Sequence, residues 1–168
     1  EAARRIYAAK GRPSDNPLIL HISQFCQLKE ITRRIPDTAV KLAEAFWPGP
    51  LTMIFEKADC VPYEITGGLE TVAVRMPEHP GALEFLEAAA VPVAAPSANT
   101  SGRPSPTRAE HVREDLEGKI DMIIDGGEVG IGFESTIVDL TGEIPVILRP
   151  GYITRQMVEE VVGETIMD

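Results

Sequence analysis

Apolar positions in this chain follow two rhythms, and the switches between them mark out its elements. Residues 1–10, EAARRIYAAK, have helical spacing and run into Gly11, a helix stop. LILHI (18–22) follows as a short strand. Ser23 is placed to cap a helix over 24–31, and Asp37 one over 38–46, which WPGP ends. LTMIFE (51–56) and TVAVRM (71–76) read as strands, GALEFLEAAA (81–90) as a helix, and VPVAA (91–95) as a strand leading into the polar loop PSANTSGRPSP. Thr107 and Glu110 have capping-box spacing for a helix over 108–118. IDMIID (120–125), STIVDL (135–140) and PVILR (145–149) read as three more strands, and Thr154 caps a last helix over 155–162.

Interleaved strands and helices predict an α/β class, an open twisted mixed sheet with flanking helices. The close run of strands near the end predicts some antiparallel pairing. There is no internal repeat and no low-complexity linker, so one domain is expected over 1–168. The opening residues already read as helix, so further residues are expected upstream of Glu1.

Composition narrows the class of partner. A net charge of −10 disfavours broad nucleic-acid binding, because phosphate would meet a repulsive field. A local basic pocket remains compatible with it. Cys26 and Cys60 lack metal-type spacing, and free thiols in a reducing cytoplasm are expected. The three histidines are scattered, so no metal ligand is assigned. No apolar run reaches membrane-span length, and no membrane partner is expected.

Candidate chemistry gathers in polar loops at strand ends, where open α/β sheets bind ligands. Lys10, Arg12, Ser14, Asn16 and His21 crowd the first turn and strand. Arg75 interrupts an apolar strand, where a charge needs a partner. Ser97, Asn99, Ser101, Arg103 and Ser105 lie in one loop; Ser135, Thr136 and Arg149 lie near the end. Each has an ordinary use alone: Lys10 and Arg12 complement a helix C-terminus, the serines and Asn99 suit turns, and a lone His21 suits a half-buried position. Together, arginines and hydroxyls at several strand ends point to a polyanion pocket, since the guanidinium fork matches phosphate and carboxylate. GGEVGIGF lacks the lysine of a P-loop, no G-x-S-x-G elbow is present, and SDN at 14–16 lacks the companion motifs of a β-lactamase.

In order, KGRPSDNPLILHI, WPGPLTMIF, VAVRMPEHP, PVAAPSANTSGRPSPT, DGG, ESTIVDL and ILRPG resemble the YrdC-like family of L-threonylcarbamoyladenylate synthases over nearly the whole chain. The pairing of K-x-R (Lys10, Arg12) with S-x-N (Ser97, Asn99) is its most specific part, and sets it apart from YciO-type paralogues, which lack an intact S-x-N.

The resemblance implies an open sheet around a large basic cavity. It implies an enzyme, a nucleotidyltransferase, that condenses L-threonine, bicarbonate and ATP into threonylcarbamoyl-AMP and pyrophosphate for tRNA modification. Mg²⁺ is expected with the ATP. A downstream threonylcarbamoyl transferase complex is the implied partner, with tRNA met indirectly. By position, Lys10, Arg12, Ser97 and Asn99 are implied at the catalytic centre. Arg12, Asn16, Thr71, Ser97, Ser105 and Arg149 are implied on ATP, and His21, Arg75, Ala95 (through its backbone) and Ser135 on threonine. By this resemblance the domain is expected to lack the family's N-terminal strand and turn within residues 1–168, and no extra C-terminal domain is expected there. Two other classes fit less well. A non-catalytic nucleotide- or RNA-binding module would want more stacking rings than 5% aromatics. A carbamoyl-transferring domain of hydrogenase-maturation type belongs to longer chains with zinc-finger-like cysteines.

Overall fold

The computed structural model describes residues 1–129 and 134–168. Helix α1 (Ala2–Lys10) leads into strand β1 (Ile19–His21). A 3-10 turn (Phe25–Gln27) and the short α2 (Leu28–Ile31) follow, then α3 (Asp37–Phe46) and β2 (Leu51–Glu56). Next come α4 (Tyr63–Thr66), β3 (Thr71–Arg75), α5 (Pro80–Ala89) and β4 (Val93–Ala95). The chain ends with α6 (Ala109–Leu116), β5 (Thr136–Asp139), β6 (Val146–Arg149), α7 (Arg155–Val162) and β7 (Ile166–Met167).

The strands form one mixed sheet in the order β4-β1-β3-β2-β5-β6-β7. Pairs β1–β3, β2–β5 and β6–β7 are parallel; β1–β4, β2–β3 and β5–β6 are antiparallel. Period-two alternation divides the residues between two faces. Leu20, Met53, Val72, Val74, Val138 and Ile147 are buried against Ala39 and Leu42 of α3 and Val158 of α7. A smaller cluster, Ala3, Tyr7 and Leu18, seats α1. The alternate positions, Ile19, His21, Thr71, Ala73, Arg75 and Ile137, are only half-buried and define a second, more open face.

Four local expectations change. Residues 120–125 form no strand, and Met122 and Ile124 are 76% and 70% exposed. An apolar run becomes a strand only where a neighbour completes its ladder, and no described strand pairs with this one. The Thr107–Glu110 box does not form, and α6 starts two residues after Thr107. The Thr107 carbonyl instead accepts the Val129 N–H (3.0 Å), and its N–H meets His111 Nδ1 (3.4 Å). Pro36 takes the N-cap position expected of Asp37, which becomes the first helical residue and still faces the positive helix end. Over 24–31, Gln27 Oε1 accepts the N–H groups of Ser23 (2.9 Å) and Gln24 (3.0 Å), so a side-chain amide rather than Ser23 organises that start. Gly11 and Thr154 act as expected: Gly11 is left-handed (φ 61°), and the Thr154 hydroxyl accepts the Met157 N–H at 3.2 Å.

Candidate functional site

The turn after α1 is closed by its own arginine. Arg12 Nε donates to the Asn16 carbonyl (3.2 Å), and Nη2 donates to Asn16 Oδ1 (2.9 Å) and to the Pro17 carbonyl (2.7 Å). The Tyr7 hydroxyl donates to the same Asn16 carbonyl (3.0 Å). Gly67 presses on the turn from outside: a Cβ there would lie 2.5 Å from the Asp15 carbonyl oxygen. Burial pulls the Arg12 pKa down, but a guanidinium stays charged at any physiological pH.

The loop after β4 docks on the end of α1. The buried Lys10 ammonium donates to the carbonyls of Ser97 and Asn99, and the Lys10 carbonyl accepts the Ser101 N–H (2.9 Å). Burial is the main force lowering the Lys10 pKa; Arg12 adds to it and Asp115 opposes it. The Asn99 amide nitrogen donates to the carbonyls of Thr100 (3.0 Å) and Arg103 (2.8 Å). Its buried Oδ1 has no partner among the described residues. Ser97 and Ser105 are exposed, and Ser105 lines a groove of about 370 Å³ with Arg103, Thr107 and His111.

Strand register builds the rest. His21 lies opposite Arg75, Arg75 opposite Thr52, Thr52 opposite Ile137 and Ile137 opposite Arg149. Directly paired residues share a face, so His21, Arg75, Thr52 and Arg149 form one row. A register shift between Ile137 and Val138 leaves Leu148 without a place in that register and brings Arg149 into the row. Arg75 Nε donates to the Gly49 carbonyl (3.1 Å), the partner a strand charge requires. The Thr52 and Ser135 hydroxyls are 2.7 Å apart. Arg149 donates to the Ser135 carbonyl from Nε (3.1 Å) and Nη2 (2.9 Å), to Ser135 Oγ (3.2 Å), and pairs with Glu134 (2.9 Å). Gly151 permits this, since a Cβ there would lie 2.5 Å from the Glu134 carbonyl oxygen.

Electrostatics give the row its character. Burial lowers the Arg75 pKa most, Arg149 lowers it further as a like charge, and Glu78 opposes both. Burial, then Arg75, pushes His21 below the ordinary imidazole value, so its ring is neutral at pH 7. Two guanidinium groups that feel one another beside a neutral ring make a local anion-seeking patch on an acidic chain.

The expected residues fall into two groups. Because β1 and β3 are parallel with Ile19 opposite Ala73, the Arg12–Asn16 turn enters the sheet at the level of Thr71. Ala95, opposite Ile19, sends the 97–105 loop out at that same end. His21, Arg75, Ser135 and Arg149 sit at the other end, about 13 Å along the strands from Thr71. Arg149, expected on the nucleotide, thus shares the row of the residues expected on threonine. Thr52, Gly49 and Asp115 were missed. A threonine in a strand and an acid on a polar helix face are commonplace, and neither pattern signals a ligand. Gly49 contributes through its carbonyl, which side-chain reading overlooks. No cluster of three or more His, Cys, Asp or Glu placed to hold a metal occurs among the described residues. No described helix is long and apolar enough to cross a membrane.

Comparison with known proteins adds a lineage to this geometry. The Sua5/YciO/YrdC family model, described as telomere recombination, matches residues 1–151. The chain is 58% identical to the threonylcarbamoyl-AMP synthase of Pyrococcus abyssi, over 97% of this chain and 48% of that protein. It is 53% identical to that of Bacillus subtilis, over 100% of this chain and 49% of that protein. The crystal structure of P. abyssi Sua5 complexed with L-threonine superimposes with a TM-score of 0.96 at 56% identity, covering 99% of this chain and 49% of that one. The chain therefore spans about half the length of the curated relatives it matches.

Proposed function

Because this chain belongs to the Sua5/YciO/YrdC family, we propose that it carries the site that makes threonylcarbamoyl-AMP from L-threonine, bicarbonate and ATP. The observation that carries this reading is the row His21–Arg75–Thr52–Arg149, tied to Ser135, at one end of a sheet whose other end holds the Lys10-docked S-x-N loop. A row with two guanidinium groups at one end of the sheet and a charge-anchored polar loop at the other suit two substrates that must meet. The names and the threonine complex of the relatives agree with it.

In this reading the threonine amine and bicarbonate join with loss of water to give a carbamate. A carbamate oxygen bonds to the α-phosphorus of ATP as the bond to the bridging oxygen breaks, and pyrophosphate leaves. Such transfers need alignment and charge neutralisation more than a covalent nucleophile. Arg75 holds the threonine carboxylate, with His21 and Ser135 beside the amino acid's polar groups. Arg12, Asn16, Thr71, Ser97 and Ser105 take the nucleotide, with Lys10 and Asn99 shaping the loop. Arg149, joined to Ser135 in the row with Arg75, offsets charge on the phosphoryl group once the carbamate is brought against it. Mg²⁺ bound with ATP would help neutralise the phosphates, and no described residue is assigned to hold it. The product passes to a downstream transferase complex acting on tRNA in the cytoplasm.

The test is pyrophosphate release. It is expected only when ATP, threonine and bicarbonate are all present, with threonylcarbamoyl-AMP as co-product. Release that is indifferent to threonine, or nucleotide binding without any turnover, overturns the proposal.

A further inference from the structure

The loop bearing Ser97, Asn99 and Ser105 is held from two sides. Lys10 grips its start. The opposite grip is Asp115, in the last turn of α6, whose side chain is only 7% exposed. Its Oδ2 accepts the Thr100 N–H at 2.9 Å, and its Oδ1 accepts the Arg103 guanidinium. Its backbone carbonyl accepts the Thr100 hydroxyl (3.3 Å) and the Lys119 ammonium (3.1 Å). A buried carboxylate is tolerable only when paired and hydrogen-bonded. The side-chain partners of this one are both loop residues, so the loop and the charge stabilise each other.

The same two residues orient the signature amide. Thr100 and Arg103 supply the carbonyls that accept both Asn99 Nδ2 hydrogens, at 3.0 and 2.8 Å. That arrangement sets which end of the amide is nitrogen and leaves Oδ1 as the open acceptor. Asp115 thus acts on Asn99 through one intervening residue on each branch. We propose that Asp115 is a positioning residue for nucleotide binding: by anchoring Thr100 and Arg103 it fixes the Asn99 amide and the loop that presents Ser97 and Ser105. The proposal rests on the functional reading above. Its field on Lys10, opposing the effect of burial, makes it the electrostatic counterweight of the opposite grip as well.

The experiment compares the unmodified protein with Asp115→Asn and Asp115→Ala. It measures calorimetric affinity for a non-hydrolysable ATP analogue and, separately, for L-threonine, together with amide hydrogen exchange. Asp115→Asn should weaken the analogue by about tenfold, the loss of one charge-assisted contact, while threonine stays within about twofold. Asp115→Ala should fall further, because Asn still offers an acceptor to the Thr100 N–H. Exchange at Thr100 and Ser101 should quicken while β2 and β3 stay protected. Unchanged analogue affinity overturns the proposal. So does equal loss of both ligands with exchange quickened across β2 and β3, the mark of a merely structural residue. Should Asp115→Asn not fold, Arg103→Gln, altered on the solvent side, must show the same split between ligands in weaker form; no split overturns the proposal. An unmodified protein that binds neither ligand, while Thr100 exchange still responds to Asp115→Asn, overturns the functional reading and the nucleotide role with it, and leaves only the loop anchor.

Discussion

The two ends of the open sheet face are built by different means. At one end, His21, Arg75, Thr52 and Arg149 are placed by strand register: backbone ladders set their spacing, and each side chain is a passenger. At the other end, Ser97 and Asn99 lie in a loop with no ladder. Their place comes from side chains reaching backbone, Lys10 from one side and Asp115 from the other. A ladder shares its load over many bonds, so losing one row residue should cost its ligand contact and little else. A loop held by a few charged grips should lose position as well as contact. Substitutions can therefore tell the two ends apart.

The largest effect is expected at Lys10. Lys10→Ala leaves the buried Asn99 carbonyl and the part-buried Ser97 carbonyl without their charged donor, so unfolding in urea should show a loss of about 2 kcal/mol. ATP binding should vanish with it. A variant of unchanged stability would mean that the loop is held by something other than this ammonium.

Arg75→Ala comes next. Threonine affinity should drop by more than about tenfold while ATP affinity stays within about threefold, and Arg75→Lys should restore only part, because an ammonium cannot form the bidentate fork. Loss of ATP with threonine intact would move Arg75 to the nucleotide end and undo the division drawn here.

Ser135→Ala is smaller. It removes the hydroxyl shared by Thr52 and Arg149, and should cost about 1 kcal/mol by chemical denaturation. Ser97→Ala, at an exposed loop position, should stay within about 0.5 kcal/mol in stability and show its effect in ATP affinity alone. Equal stability losses at both serines would mean that the bonds of the Ser135 hydroxyl to Thr52 and Arg149 do not set it apart from an exposed loop serine.

The gentlest test is pH. Burial first, and Arg75 second, depress the His21 pKa in the folded state. Below about pH 6.5 the unfolded chain takes a proton on this ring that the folded chain refuses, so stability falls as pH falls through that value. His21→Gln should flatten this part of the stability curve. A curve unchanged by the substitution would place His21 in a less buried setting than the row provides.

Much of this was legible in the linear chain, because the relevant physics is local. Alternation in TVAVR announced a strand with one apolar face, and Gly11 and Thr154 announced helix ends. An arginine inside a strand required a partner. The motif residues Lys10, Arg12, Ser97 and Asn99 stood out only through their resemblance to the family's paired K-x-R and S-x-N, since each alone suits an ordinary helix end or turn. What failed was what depends on a distant neighbour. Residues 120–125 have a strand's composition but no ladder, and Thr107 exchanged its capping role for a bond to Val129.

The chain by itself therefore determined its α/β class, most of its element order and the arginines and hydroxyls of the candidate site, since periodicity, caps and guanidinium chemistry act over a few residues. Only the tertiary structure decided that Arg149 stands in one row with Arg75 and His21. Register across β3, β2, β5 and β6, with a one-residue shift between Ile137 and Val138, sets that alignment, and no local preference encodes it. Only the tertiary structure, too, turned Asp115 from a helix-surface acid into a buried grip. Its partners lie 12 and 15 residues away, and a charge acquires that meaning from what folding brings against it.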